Sequence, residues 1–365
     1  MTAERPGNWR VRVTQPFLPP RERYDAYLDA IYERRWLTNG GPCEAELAKK
    51  LKARFEVDHL QLVSSGTSAL QLALAALEIA GDVIVTPYSF AATRNAVIRQ
   101  GCRPVYADID PATFALDPEA IARAITPETQ AILVTTAYGL PCDFDGIQAL
   151  ADRHGIPTVY DHAHSTGSRY RGQAIPSFGD VGALSFHATK VFHTVEGGAV
   201  ICRDPALDDR LRLMKANGID GDTIPYAGFN AKMSEPHAAM GLAILPELDR
   251  LIAERRRRSE IFVAELRDAP VRMPACEIGP ELEWNYAYNP VIFADGDTVM
   301  RVQDALARTG FESRRYFRPA FSEAGSDHGC PVAEDLAERV LCLPMSPFVE
   351  PAQIAEMCRI VRQNV

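Results

Sequence analysis

The feature that most constrains this chain is a repeated alternation between residues 60 and 202. Short apolar runs fall at residues 60–63, 83–86, 104–107, 131–135, 158–160, 183–186 and 199–202. Helical spacing of apolar positions separates the earlier ones, over residues 67–79, 91–99, 118–125 and 144–153. Apolar runs this short, bounded by turn residues, read as strands buried on both faces. Strands alternating with helices pack as a mainly parallel, doubly wound α/β sheet. In such sheets ligands bind outside the carboxyl ends of the strands. Residues that close the runs are therefore the first candidates for chemistry.

Outside this block the pattern differs. Residues 1–20 carry four prolines and read as an irregular arm, followed by helices over 21–34 and 43–55. From about residue 245 a long helix is expected over 243–266, then a strand over 289–293 and helices over 298–308 and 352–362. These expectations divide the chain into a large domain, 1–245 with its N-terminal arm, and a smaller α+β domain, 246–365. At 365 residues the chain is long enough for two cores.

Three strand ends carry reactive groups. Ser64-Ser-Gly66-Thr67-Ser68 follows the first run. Backbone N–H groups at a helix N-terminus there can hold a phosphate; a plain N-cap is the other reading. Asp161 closes the fifth run, where a carboxylate can cap a turn or hold a proton on a ring nitrogen. Lys190 lies past the sixth, in Ser185-Phe-His-Ala-Thr-Lys190-Val-Phe-His-Thr-Val-Glu-Gly-Gly198. It reads either as a solvated charge or as a desolvated amine, nucleophilic because its pKa is lowered. A small-residue turn, a carboxylate and a lysine at neighbouring strand ends are what pyridoxal 5'-phosphate requires. Asp161-His-x-His164 also has the spacing of a metal triplet, and a divalent-metal hydrolase is the rival. That rival leaves Lys190 and the Ser64–Ser68 turn unexplained, so no metal is expected.

Charge and cysteine usage narrow the class further. A formal charge of −9 disfavours a nucleic-acid partner. The basic run Arg255–Arg258 reads as a solvated helix face. The eight cysteines are scattered without a CxxC pair, against a zinc site or disulfide framework. No apolar run is long enough to span a membrane. Residues 1–12 lack a signal-peptide core. A cytoplasmic enzyme with no membrane partner is expected.

Taken together, Ser64-Ser-Gly-Thr-Ser-Ala-Leu70, Tyr138-Gly-Leu-Pro-Cys-Asp143, Asp161-His-Ala-His164, the lysine segment and Phe229-Asn-Ala-Lys-Met-Ser-Glu235 resemble the DegT/DnrJ/StrS group of pyridoxal-phosphate aminotransferases. The resemblance runs from about Trp36 to the C-terminus and implies the fold-type I architecture. It implies Lys190, Asp161 and His164 as catalytic residues, with His164 on the cofactor's 3-hydroxyl. Gly66, Thr67 and Ser185 would bind the phosphate, and Phe90 would stack on the ring, although a core aromatic is the alternative. Asn230 would reach the phosphate of the other subunit, making the protein a homodimer with shared active sites. Lys232 stands where the group usually has arginine. A sister branch with histidine at the position of Lys190 dehydrates sugars, so the lysine favours amino transfer.

Phe192-His-Thr-Val-Glu-Gly-Gly198 and Arg314-Arg-Tyr-Phe-Arg-Pro319 look like the branch that makes 4-amino-4,6-dideoxyhexoses from thymidine-linked 4-keto sugars, or its 3-amino relatives. Arg314 and Tyr316 would then contact substrate; a basic surface strand is the alternative. The resemblance implies glutamate as donor and a nucleotide-linked keto sugar as acceptor, preferably dTDP-4-keto-6-deoxyglucose. Such reactions feed deoxyamino-sugar biosynthesis, lipopolysaccharide O-antigen included. A 3-keto sugar or cyclitol ketone is the alternative acceptor. A pyridoxal-binding regulator or inert paralogue is the alternative outside enzymes.

Overall fold

The structure is a computed structural model and describes residues 9–274, 279–321 and 329–365. Residues 1–8 of the expected arm, and Cys276, lie outside the described residues. Helices α1 (Arg21–Arg34) and α2 (Pro42–Phe55) precede the sheet. Pro42 opens α2, where its missing N–H costs nothing. Leu47, Leu51 and Phe55 then bury one stripe of that helix, at ~1.5–3 kcal/mol each.

The alternation follows. β1 (His59–Val63) leads into α3 (Gly66–Ala76), and β2 (Asp82–Val85) into α4 (Ala91–Arg99). β3 (Arg103–Tyr106) leads into α5 (Pro118–Ala124), and β4 (Thr129–Thr135) into α6 (Phe144–His154). The side chains of Ser65, Asp117 and Asp143 cap α3, α5 and α6, as short polar residues before apolar helices do. After β5 (Thr158–Asp161) come two short strands, β6 (Arg169–Tyr170) and β7 (Gln173–Ala174). Then follow β8 (Val181–Ser185), β9 (Gly198–Cys202), α7 (Pro205–Met214) and α8 (Glu235–Ile244).

Seven strands form the central sheet in the order β1-β9-β8-β5-β4-β2-β3. Only β9 runs against the others, pairing antiparallel with both β1 and β8; the remaining pairs are parallel. Both faces are covered, as strand alternation requires. Val83, Val85, Ala131 and Leu133 enter one apolar core, while Ile84, Ile132 and Val134 enter another beneath α5 and α6. This is the α/β architecture read from the sequence.

The rest of the chain builds a third core. α9 (Leu248–Leu266), β10 (Leu282–Glu283), β11 (Asn289–Ile292) and α10 (Gly296–Arg308) are followed by α11 (Pro331–Arg339), β12 (Val340–Leu343) and α12 (Pro351–Asn364). β11 and β12 pair antiparallel. Phe262, Val291, Phe293, Val302, Leu341, Ile354 and Met357 pack together there.

The helix expected over 243–266 is broken. α8 ends at Ile244, and a turn over Leu245–Glu247 intervenes before α9. Pro246 lacks the N–H that a continuous helix would need. Of the basic run on α9, Arg255 is buried rather than solvated: its guanidinium donates to the carbonyls of Tyr286, Ala287 and Met345. The seven described cysteines are free and buried. Among the described residues no helix is long and apolar enough to cross a membrane.

Candidate active site

The strand register lines up the candidate groups along one edge of the sheet. Ser185 and Val63 both lie opposite Gly198, and Asp161 lies opposite Thr135. The α3 N-terminus sits at this edge beside Ser185. A Cβ on Gly66 would fall 2.7 Å from the Ser185 Cβ, and one on Gly198 would fall 2.8 Å from the Gly66 nitrogen. Glycine at both positions is what lets the helix end approach the strands. Ser65, not Thr67, is the N-cap: its hydroxyl accepts from Ser68 N and its own N–H donates to Ser68 Oγ, both at 3.0 Å. That leaves Gly66 and Thr67 in the first turn, where N–H groups have no intrahelical acceptor. Thr67 and Ser64 are exposed there. The place is suited to an anion.

Asp161 is buried at the end of β5. Thr93 Oγ1 donates to its Oδ2 at 2.7 Å, and the Ala163 N–H to its Oδ1 at 3.1 Å. Burial raises its pKa, opposed by those two bonds and by the charge of Lys190. Ser89 bonds both Thr93 and Thr135, which fixes the Thr93 hydroxyl on α4. Phe90, at the N-terminus of the same helix, presents a half-exposed ring that the core does not use. The core-aromatic reading of Phe90 therefore fails.

His164 is also buried. Its Nδ1 accepts the backbone N–H of Tyr138 at 3.0 Å, and burial, aided by Lys190, holds its pKa well below the usual range. A neutral ring accepting at Nδ1 must carry its proton on Nε2. His162 turns elsewhere. Its Nδ1 pairs with Thr136 Oγ1 and its Nε2 with the Phe178 carbonyl, so the two histidines do not share one ligand site with Asp161.

Lys190 is half-buried on the loop joining β8 and β9. Desolvation lowers its pKa to about 8, against the pull of Asp161 and Tyr316. Its Nζ lies 3.4 Å from the Tyr288 hydroxyl. Its surroundings are therefore those of a partly desolvated amine and not of a fully solvated charge.

Tyr316 faces Tyr288 with ring centroids 5.3 Å apart, and Arg314 Nη1 donates to its hydroxyl at 3.1 Å. Burial pushes the Tyr316 phenol up to about 12. Asn230 is exposed, and its Oδ1 accepts from Lys232 Nζ at 2.7 Å. Its segment is stitched to the end of β1 by Ser64 N–H donating to the Ala231 carbonyl at 2.7 Å.

Sequence reading missed the aromatic wall of the site. Tyr88 donates to the Tyr316 carbonyl at 2.8 Å, and the Tyr138 hydroxyl also reaches that carbonyl. Tyr138, Tyr288 and Phe317 all pack against the His164 ring. The only signal was the density of tyrosine in Trp284-Asn-Tyr-Ala-Tyr288 and at Tyr88 and Tyr138; nothing local says that they converge.

A lysine amine, a buried carboxylate and a helix end suited to an anion lie at one edge of the sheet, and comparison with known proteins gives the family. The chain is 37% identical over 342 residues to a dTDP-4-amino-4,6-dideoxy-D-glucose transaminase of Shigella dysenteriae, covering 91% of this chain and 93% of that one. The protein of the same name from Escherichia coli is 35% identical over 359 residues, covering 92% and 93%. Among solved structures, DesI in the presence of its TDP-sugar product superposes with a TM-score of 0.90 at 34% identity, covering 97% of this chain and 92% of that one. A sequence model of one family matches residues 20–362, nearly the whole of the region that builds the three cores and the strand-end site: this chain is an enzyme of the DegT/DnrJ/EryC1/StrS aminotransferase family.

Proposed function

We propose that the chain transfers an amino group from glutamate to a nucleotide-linked keto sugar with pyridoxal 5'-phosphate, and that the acceptor is dTDP-4-keto-6-deoxyglucose, giving dTDP-4-amino-4,6-dideoxyglucose. The observation that carries the reading is Lys190, half-buried on the β8–β9 loop with its Nζ 3.4 Å from the Tyr288 hydroxyl and its amine under the charge of Asp161. The names of the relatives from Shigella dysenteriae and Escherichia coli support the choice of sugar.

The residues present fit the cofactor. The Gly66–Ser185 approach makes a cradle that a single Cβ would fill, and the amides of Gly66 and Thr67 with the Ser185 hydroxyl would hold the phosphate. Asp161 would keep a proton on the ring nitrogen, and that added positive charge would keep the buried carboxylate ionised. His164, with its proton on Nε2, would donate to the 3-hydroxyl, and Phe90 would lie against the ring. When bound, pyridoxal phosphate supplies a carbonyl that carries the amino group and a ring that accepts electron density from the substrate Cα.

Lys190 would serve the reaction twice, as the amine that anchors the cofactor and as the base that moves the proton at the substrate carbon. Its pKa near 8 places it close to neutral pH, where general acid–base work is most effective. Arg314 and Tyr316 would bind the sugar side. Asn230 would complete the phosphate site of a second copy, so the active species would be a homodimer, working in the cytoplasm.

The test is the reaction. The purified protein, loaded with pyridoxal phosphate, is mixed with glutamate and then with the thymidine-linked 4-keto sugar, and the product is identified by NMR. Loss of the yellow colour with glutamate followed by a 4-amino sugar is expected. A colour that persists overturns amino transfer from glutamate. Bleaching without product from this sugar overturns the acceptor and moves the search to 3-keto sugars and cyclitol ketones.

A further inference from the structure

The described part of the N-terminal arm packs into the protein. Val11 bridges Phe311 in parallel register, the Arg10 N–H donates to the Gly310 carbonyl, and the Glu312 N–H donates to the Val11 carbonyl. Val11 and Val13 are buried. The arm thus runs alongside residues 310–312, joined by one isolated bridge, and further on the carbonyl of Phe17 accepts from His193 Nε2 at 2.8 Å. His193 belongs to the loop that carries Lys190. One stretch of chain, residues 10–17, therefore touches both the segment leading to Arg314 and the segment following Lys190.

At the first of these contacts stands Glu312, a side chain only 12% exposed. Its Oε1 accepts from Arg314 Nε at 3.0 Å and from Arg314 Nη2 at 2.8 Å. Its Oε2 accepts the backbone N–H of Val13 at 3.1 Å. With Nε and Nη2 held, the remaining nitrogen, Nη1, is aimed at the Tyr316 hydroxyl. Tyr316 in turn packs on Tyr288, whose hydroxyl faces Lys190.

We infer that Glu312 is a positioning residue for the acceptor half of the reaction: it is the joint through which the N-terminal arm holds Arg314 on Tyr316. The inference rests on the proposed role of Arg314 and Tyr316 at the sugar. Its chemistry is specific. Both ends of the side chain must accept, because both neighbours are donors, and only an ionised carboxylate offers two acceptor ends. An amide of the same shape has to turn its NH₂ toward either Val13 N–H or the Arg314 guanidinium. One contact must break, and whichever breaks, arm and arginine are no longer coupled.

The experiment compares Glu312→Gln with Val13→Pro, which removes the single N–H while leaving the carboxylate. The first readout needs no cofactor. The Val13 amide of the wild-type protein is expected to be protected from hydrogen exchange by its bond to Glu312, and Glu312→Gln is expected to deprotect it or to release Arg314 from Tyr316. The second readout splits the kinetics. Loss of a charge-assisted pair predicts a fall of about tenfold in kcat/KM for the keto sugar, while the glutamate half-reaction, followed by its colour change, stays within about twofold. Val13→Pro is expected to move the same parameter by less, and the double variant to lose no more than Glu312→Gln alone. Unchanged sugar kinetics in Glu312→Gln would overturn the inference, as would equal losses in both half-reactions or additive losses in the double variant. A wild-type protein that does not aminate the sugar would instead be a failure of the proposed substrate. In that case intact protection of Val13 in Glu312→Gln, with Arg314 still on Tyr316, would overturn the joint itself.

Discussion

Replacing Thr93 by valine removes one atom's worth of chemistry and almost no shape. The lost group is the hydroxyl that donates to Asp161 Oδ2 at 2.7 Å, in a site where both side chains are buried. A hydrogen bond to a buried carboxylate contributes about 1.5–3 kcal/mol. Asp161 then keeps only the Ala163 amide and the charge of Lys190 against the desolvation that already raises its pKa. The sign follows from linkage. A carboxyl whose folded pKa lies above its unfolded value favours the native state most below that unfolded value, and this contribution is lost as pH rises through the folded pKa. Thr93→Val raises the folded pKa further, so it destabilises the cofactor-free protein most at neutral pH. The deficit against wild type, read by chemical denaturation at a series of pH values, should be about 1.5–3 kcal/mol at pH 7 and shrink through the carboxylate range. In the loaded enzyme the same loss should cost about ten- to a hundredfold in rate, since 1.4 kcal/mol is a factor of ten. A deficit that does not change with pH would refute the argument, because it would place the loss in packing and not in the charge of Asp161.

Three further outcomes are expected. Lys190→Ala should still bind pyridoxal phosphate yet fail to turn over; full activity would remove the lysine from the reaction. In the cofactor-free protein, burial lowers the Lys190 pKa from its usual 10.5 to about 8, so stability should rise with pH between those values. Lys190→Met should flatten that rise, and a slope unaltered by the change would assign it to another group. Gly66→Ala places a Cβ 2.7 Å from the Ser185 Cβ and should weaken cofactor binding by about tenfold or more, since overpacking costs about 1–3 kcal/mol; spectroscopic titration with wild-type affinity would show that the helix end is not the phosphate site.

The strand ends were legible because burial on both faces leaves a plain trace, a short apolar run that stops at a polar residue. Asp161 and the Ser64–Ser68 turn could be placed at strand ends from that trace alone, whereas Ser185, inside an apolar run, was marked only by the family resemblance. The lysine could be placed but not characterised, since its pKa depends on walls built from Tyr288 and Tyr316, far along the chain. α8 was missed because it is apolar all round, Ala238-Ala-Met-Gly-Leu-Ala-Ile244, and so shows no periodicity. The break at Pro246 was readable in principle, but the charged residues that follow it run on at helical spacing. Nothing local sets Glu312 apart from other acidic residues; only the arm and Arg314, brought together in space, give it two donors to satisfy.

The reversed strand β9 also ties together distant parts of the chain. β1 and β9 are paired residue for residue, His59 with Cys202 through Val63 with Gly198, although most of the large sheet's chain lies between them. Contacts of such sequence separation form late, because the intervening loop must first be closed. The helix end after β1 and the lysine loop before β9 are brought together by this pairing and by the close approach of Gly66 to Ser185 on β8. A chain in which the pair is still open has each half of the phosphate and lysine site, but no whole site. A ligand that binds only the assembled site would by mass action stabilise this pairing.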